Sequence, residues 1–158
     1  MIKNFLAMLG LLLILIVLTG GVLYERWKSL DKTAYEYAMD AASFVFANWD
    51  FQELKRRADT HMFANDSEEK LKNVFTSMSR LGALQSVQGC RGQPAVNVGD
   101  GIVITAKYAC EMKFEKDTAV ATLVLIGNPL KILLGDNAES WKILALNVNS
   151  DYLAKSAK

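Results

Sequence analysis

From Asn4 to Tyr24 the chain runs 21 residues, NFLAMLGLLLILIVLTGGVLY, without one charge. A helix of that length reaches about 31 Å at about 1.5 Å per residue, which matches the roughly 30 Å hydrocarbon thickness of a bilayer. The sequence therefore predicts a transmembrane helix over 4–24. Residues 1–3 form a short cytoplasmic end, 25–30 a juxtamembrane link, 31–150 one globular domain and 151–158 a C-terminal tail. Tyr24 and Trp27 stand where a membrane-interface aromatic belt belongs, and Glu25, Arg26 and Lys28 mark the return to water. A cleaved signal peptide fits less well. The apolar run exceeds the about 7 to 15 residues of a signal core, and no A-x-A site follows, only Thr19-x-Gly21. No Cys follows the run either, which argues against a lipoprotein anchor.

The positive-inside count opposes the orientation adopted here, since Lys3 and the α-amino group lie on one side of the span and Arg26, Lys28 and Lys32 on the other. Long domains translocate largely regardless of charge, and the chain carries a plausible disulfide. These two considerations place the C-terminal domain in the periplasm, tethered to a bacterial inner membrane by a single pass. Cys90 and Cys110 are the only two cysteines. Joined, they would close a loop of about 20 residues, stabilising the fold by about 3 kcal/mol in the chain-entropy model; the alternative is two buried free thiols. With no C-x-x-C and His61 as the only histidine, no metal site is expected, and no cofactor. Net charge is +1, too weak a field to attract nucleic acid. The densest basic run, Lys55-Arg56-Arg57, reads as a solvated helix face.

Beyond the anchor, Tyr35, Ala38, Ala42, Val45 and Trp49 follow a 3,4,3,4 spacing and predict one face of a helix over 29–49, widened by Phe44 and Phe46. This helix begins at Ser29 or Asp31 as N-cap, or runs on from the membrane helix, since neither Gly nor Pro intervenes after Gly21. A second helix is expected over 51–61 with Leu54 and Ala58 inward, followed by Met62-Phe63 as an apolar stop. His61 reads as a surface or helix-end residue, because no orienting partner for a general base is evident. Asp66 and Glu69 have capping-box spacing at the head of a third helix whose inner face is Leu71, Val74, Phe75, Met78 and Leu81, ended by Gly82. Asn65-Asp66-Ser67 also matches a glycosylation sequon, which the cap explains without a secretory route.

After Gly82 the period becomes two. A strand is expected over 83–90, then the loop Arg91-Gly92-Gln93-Pro94 and a tight Gly99-Asp100-Gly101 turn. Residues 102–115 alternate: Ile102, Ile104, Ala106, Tyr108, Cys110, Met112 and Phe114 on one side, Thr105, Lys107, Glu111, Lys113 and Glu115 on the other. The strands over 119–126 and 141–149 are apolar on both faces, Val120, Val124 and Ile126 opposing Ala121, Leu123 and Leu125, and Leu144, Leu146 and Val148 opposing Trp141, Ile143 and Ala145. Between them, Leu130-Lys131-Ile132-Leu133-Leu134 reads as an extra short strand, a contact tip or core filling. The fold class is α+β, three helices packed on a curved antiparallel sheet of about four strands behind an N-terminal transmembrane helix. Such helices cover one face, leaving an apolar patch on the other unless a partner lies on it.

This order, with the first helix ending in Ala47-Asn48-Trp49, the helix-closing Leu81-Gly82, the strand Tyr108-Ala109-Cys110-Glu111-Met112-Lys113-Phe114, and Trp141-Lys142-Ile143-Leu144 before Val148-Asn149-Ser150, resembles the cone-shaped nuclear transport factor two-like superfamily. The resemblance covers residues 30 to 150 and implies a membrane-anchored periplasmic member. In plan the chain is also similar, more weakly, to inner-membrane scaffold subunits of type IV secretion machines, although it lacks their cytoplasmic tail. Type IV pilins are set aside, because the Gly-Phe-Thr-x-x-Glu processing signature is absent.

Three functions compete: a non-catalytic tethered assembly subunit of an envelope complex, a tethered binder of a lipid or other apolar ligand, and an isomerase- or dehydratase-like enzyme working inside the cone. The alternating strand directs no acid or base inward, only Tyr108 and Cys110 as reactive groups, so no catalytic residue is assigned. The assembly reading makes Val120, Val124, Ile126, Ile132, Leu133, Leu144 and Leu146 the partner-binding residues, for other envelope membrane proteins or a second copy of the chain.

Overall fold

The structure, a computed structural model, describes residues 2–64, 68–99, 101–135 and 140–156; the side chains of 2–20, 22, 23, 26, 133, 134 and 156 lie outside that description. By internal contacts the chain divides into Met1–Lys32 and Thr33–Lys158. In the first unit the described backbone is helical from Ile2 onward, within α1 (Ile2–Ala47). No start at Ser29 or Asp31 interrupts it. The transmembrane span expected over 4–24 falls almost wholly on side chains outside the description; among the described residues no helix is long and apolar enough to cross a membrane.

The second unit is α+β, with a four-stranded antiparallel sheet in the order β1-β2-β3-β4: β1 (Leu84–Val98), β2 (Ile102–Phe114), β3 (Thr118–Gly127) and β4 (Trp141–Asn149). Around it lie the C-terminal part of α1, α2 (Phe51–Arg57), a 3-10 turn (Thr60–Phe63), α3 (Glu68–Met78), a second 3-10 turn (Ser79–Leu81), α4 (Pro129–Leu134) and α5 (Asp151–Ser156).

The buried face of α1 is Ala34, Ala38, Ala41, Ala42, Val45 and Phe46, whereas Tyr35 and Phe44 are exposed. The expected stripe is thus rotated toward small side chains that periodicity weighs lightly, and a helix faced with alanine can approach a neighbour closely. Trp141 Nε1–H donates to Thr33 Oγ1 at 3.4 Å, the Tyr35 and Tyr108 rings meet edge-on at 6.1 Å, and Phe46 meets Phe114 at 6.3 Å. The part of α1 from Thr33 onward therefore lies over the sheet face that carries Tyr108, Phe114 and Trp141. Asp50 caps α2 by accepting from the backbone N–H groups of Gln52 and Glu53. α2 ends at Arg57 rather than near His61, because Ala58 turns extended and bridges in parallel to Ile143. On α3 and the turn after it, Phe75 and Leu81 are buried while Val74 is exposed, and Gly82 ends the segment at φ 87. The capping box and sequon at 65–67 lie outside the described residues.

β2 alternates as the sequence predicts from Ile104 to Phe114, all six inward positions being buried. β1 departs from expectation. Arg91-Gly92-Gln93-Pro94 is no loop but stays paired with Ala109, Tyr108, Lys107 and Ala106. Two features allow this. Gly92 lies so close to the Lys107 carbonyl that a Cβ would collide with it. Gly99 N–H bonds the Gly101 carbonyl at 3.1 Å, so the odd-numbered residues of β1 point their backbone groups at β2 and Pro94, at an even position, turns its donorless nitrogen outward.

The 130–134 insert is helical. Asn128 Oδ1 accepts from the backbone N–H groups of Leu130 and Lys131, Pro129 occupies the first turn, and Gly135 closes α4 at φ 85. The expected tail contains α5, set by Ser150 Oγ accepting from Leu153 N–H at 3.2 Å, and by Asp117, whose Oδ2 accepts from Ser150 Oγ and Tyr152 N–H.

Candidate functional site

The predicted partner-binding residues divide between two sheet faces. Register pairs Leu123 with Leu146, Ala121 with Val148 and Leu125 with Ile143, all on the face toward α1, where Leu123 and Leu125 are fully buried. A bulge lies opposite Val124 and Leu125, whose partners Ala145 and Ile143 skip Leu144. Before the bulge Trp141 and Ile143 face inward; after it Leu146 and Val148 do. The uninterrupted alternation expected of β4 thus gives way to a change of face at Leu144, and Leu146 is removed from the outer surface.

Val120, Val124 and Ile126 remain together on the outer face, Val120 exposed at 37% and the other two half-buried. Around them stand exposed Lys107, Glu111 and Lys113 on β2 and exposed Lys142, Ala145 and Asn147 on β4. Ile132, on α4, lies with its Cδ1 and the Trp141 ring in the space that a side chain at Gly127 would need. The side chain of Leu133 lies outside the described residues. Tyr24 and Trp27 are exposed on α1, and Cys90 and Cys110, directly paired across β1 and β2, form the disulfide.

Lys55-Arg56-Arg57 is engaged by carboxylates within the fold. Lys55 pairs with Glu68 at 2.8 Å, Arg56 with Glu53 at 2.7 Å, and Arg57 with both Glu53 at 2.5 Å and Asp40 at 2.7 Å. Arg57 also stands over the rings of Tyr37 and Phe44, and its carbonyl accepts from Tyr37 Oη. Burial pushes the Tyr37 phenol up to about 12, against the opposing pull of Arg57.

A cleft of about 370 Å³ opens where the 3-10 turn after α2, the start of α4 and the start of β4 converge, lined by Asp59, Ile126, Gly127, Asn128, Pro129, Lys131, Ser140 and Lys142. Asp59 is placed by Asp59 N–H donating to the Ile143 carbonyl at 2.8 Å. Its Oδ1 accepts from His61 N–H at 2.9 Å and meets His61 Nδ1 at 2.5 Å; the backbone N–H foremost and then the ring hold this carboxyl below the usual range. His61 has the orienting carboxylate that the sequence did not reveal, yet its side chain is 75% exposed. Lys142 Nζ donates to the Arg56 carbonyl at 3.1 Å. Asn128 N–H donates to the Ser140 carbonyl at 2.8 Å, fixing the cleft wall across the α4 segment. Ser140 is 2% exposed, and its Oγ has no hydrogen-bond partner.

The cleft gathers polar groups of both signs beside the apolar surfaces of Ile126 and Pro129, the makeup of a small-ligand site. Among the described residues no three His, Cys, Asp or Glu side chains gather where they could hold a metal ion. Comparison with protein-family models, curated proteins and solved structures finds no match for this chain.

Proposed function

We propose that this chain is a non-catalytic, membrane-tethered assembly subunit of a bacterial envelope complex, held to the inner membrane by residues 4–24 and contacting its partner through the outer face of β3. The observation that carries the reading is the Val120, Val124 and Ile126 row, which lies on the sheet face opposite the one packed against α1. Apolar side chains collected on such a face favour contact with another protein surface. The uncharged 4–24 stretch supports the tether, and the Cys90–Cys110 disulfide supports an oxidising compartment such as the periplasm. Three α-helices ahead of the first strand of a four-stranded antiparallel sheet support the nuclear transport factor two-like resemblance.

The test is extraction of the full-length native protein in mild detergent, followed by size analysis and identification of whatever co-migrates. The expected result is a stable larger assembly with defined envelope membrane proteins, lost on Val124→Asp. A lone monomer or homodimer, or an assembly that Val124→Asp leaves intact, would overturn the reading.

A further inference from the structure

We infer that the turn between β1 and β2 is a second, peripheral membrane contact, dipping into the boundary between lipid headgroups and acyl chains. The inference rests on the reading of residues 4–24 as a tether and is independent of the β3 face.

One row of residues marks the relevant end of the sheet. Register sets Val96 opposite Ile104, Ile104 opposite Gly127 and Gly127 opposite Trp141, and Trp141 Nε1–H donates to Thr33 Oγ1 at 3.4 Å. The polypeptide thus enters the second unit, which begins at Thr33, at this end. Past the row β3 has ended and β4 has not begun, so β1 and β2 continue alone as a two-stranded arm in which Val98 pairs with Ile102. Three residues of β geometry carry the arm roughly 10 Å beyond the row.

The arm is apolar where a turn would ordinarily be polar. Val96, Val98, Ile102 and Val103 are all exposed, Val98 at 79% and Ile102 at 59%, and Leu130 is exposed at 66% on α4, which follows Gly127 within two residues. At the opposite end of the sheet the β2–β3 connector is Glu115-Lys116-Asp117, charged throughout. A contiguous apolar projection marks a membrane or protein contact. The entry of the chain favours the membrane. Thr33 is nine residues on from Tyr24, so at most about 32 Å of extended chain separates the arm's end of the sheet from the outer end of the tether. Charge takes no part in the attraction, because the connectors at this end hold Asp100, Asp136 and Glu139 in sequence against Lys131 and Lys142. Asp100 is the one charge from Gly92 to Ala106, and it limits the depth to the headgroup boundary, where a carboxylate stays hydrated.

The experiment places a single nitroxide on the full chain in phosphatidylcholine vesicles, without reductant so that the Cys90–Cys110 bond stays closed. Labels at Leu13→Cys, Val98→Cys and Lys116→Cys are compared for collision with oxygen, which enters lipid, and with a nickel chelate, which stays in water. Val98 should share the loss of nickel collisions seen at Leu13, while Lys116 keeps them, and added phosphatidylglycerol should change neither. Ile102→Asp in the Val98-labelled chain should restore nickel collisions at an unchanged melting temperature. A Val98 label as open to nickel as Lys116, with Leu13 in lipid, overturns the inference and leaves the tether standing. Nickel collisions at Leu13 overturn the tether and this inference with it. A Val98 label shielded from both reagents, with spin–spin broadening that vanishes on dilution by unlabelled chain, assigns the arm to a second copy and overturns the membrane contact.

Discussion

The indole Nε1–H of Trp49 donates to the Gly82 carbonyl at 2.7 Å, joining the end of α1 to the residue that launches the sheet, 33 positions later. The same ring stacks on Phe114 at 5.2 Å and meets Phe46 and Phe75 edge-on. Trp49 holds a left-handed backbone at φ 51, unusual for a bulky residue, and these contacts offset its cost. Trp49→Phe keeps most of the ring packing but leaves the Gly82 carbonyl without this donor. It should lower stability by about 1 kcal/mol, read as a reduced urea midpoint at unchanged slope.

Cys90 and Cys110 lie 20 residues apart in sequence and face each other across β1 and β2. Replacing both by alanine should cost about 3 kcal/mol, most of it through a less constrained unfolded chain. The oxidised protein and the double variant should therefore differ in urea midpoint, and a reductant should move the former toward the latter and leave the latter still.

The change of face in β4 gives opposite expectations for two neighbouring apolar residues. Val124→Asp puts a carboxylate on the outer face opposite Lys107 and should leave the melting temperature nearly unchanged. Leu146→Asp puts one on the inner face opposite the buried Leu123 and should destabilise the domain by about 2–4 kcal/mol. Circular dichroism melts of the two variants side by side decide this.

Glu53 is held down to about 2 by its hydrogen bonds to Arg56 and then Arg57. A carboxyl bound more weakly to protons in the folded than in the unfolded chain, where it titrates near about 4.3, stabilises the fold fully above that value. This contribution is lost as pH falls from about 4.5 toward about 2. The difference in stability between the native chain and Glu53→Gln should shrink across that window in acid denaturation curves and stay flat above it.

Gly92→Ala drives a Cβ into the Lys107 carbonyl, whereas Gly99→Ala meets open space. The first should cost more than about 2 kcal/mol and the second less than about 0.5 kcal/mol. Paired thermal melts provide the check.

The alternation of β2 was legible because nothing interrupts its period of two between Ile104 and Phe114. β4 carries an equally apolar pattern, but one bulge at Leu144 inverts the sides of everything after it, and no residue there announces a bulge. Gly92 and Pro94 read as loop residues because they weaken interior strands; at an edge one permits a close backbone approach and the other wastes no hydrogen bond. The caps of α4, Asn128-Pro129 and Gly135, stood in the sequence and were outweighed by the apolar run between them. The cleft had no signature at all. Asp59, Lys131 and the Ser140–Lys142 stretch come from three separate segments, drawn together by the Ala58 bridge to Ile143, the Lys142 bond to the Arg56 carbonyl and the Asn128 bond to Ser140.

That bridge has a consequence for how such a sheet behaves when many copies are crowded together. The sheet has two open margins, β1 and β4, and each is a template on which a foreign strand could add. On β4 the Ile143 carbonyl is already taken by Asp59 N–H, so an incoming strand finds its place occupied. On β1 an arriving strand meets Pro94, which offers an acceptor with no donor, and a slip of one residue to avoid it would turn every side chain of the newcomer to the wrong side. Each margin is thus guarded by a different local device. Edge-to-edge growth into fibrils is discouraged, while broad contact through the sheet face remains open.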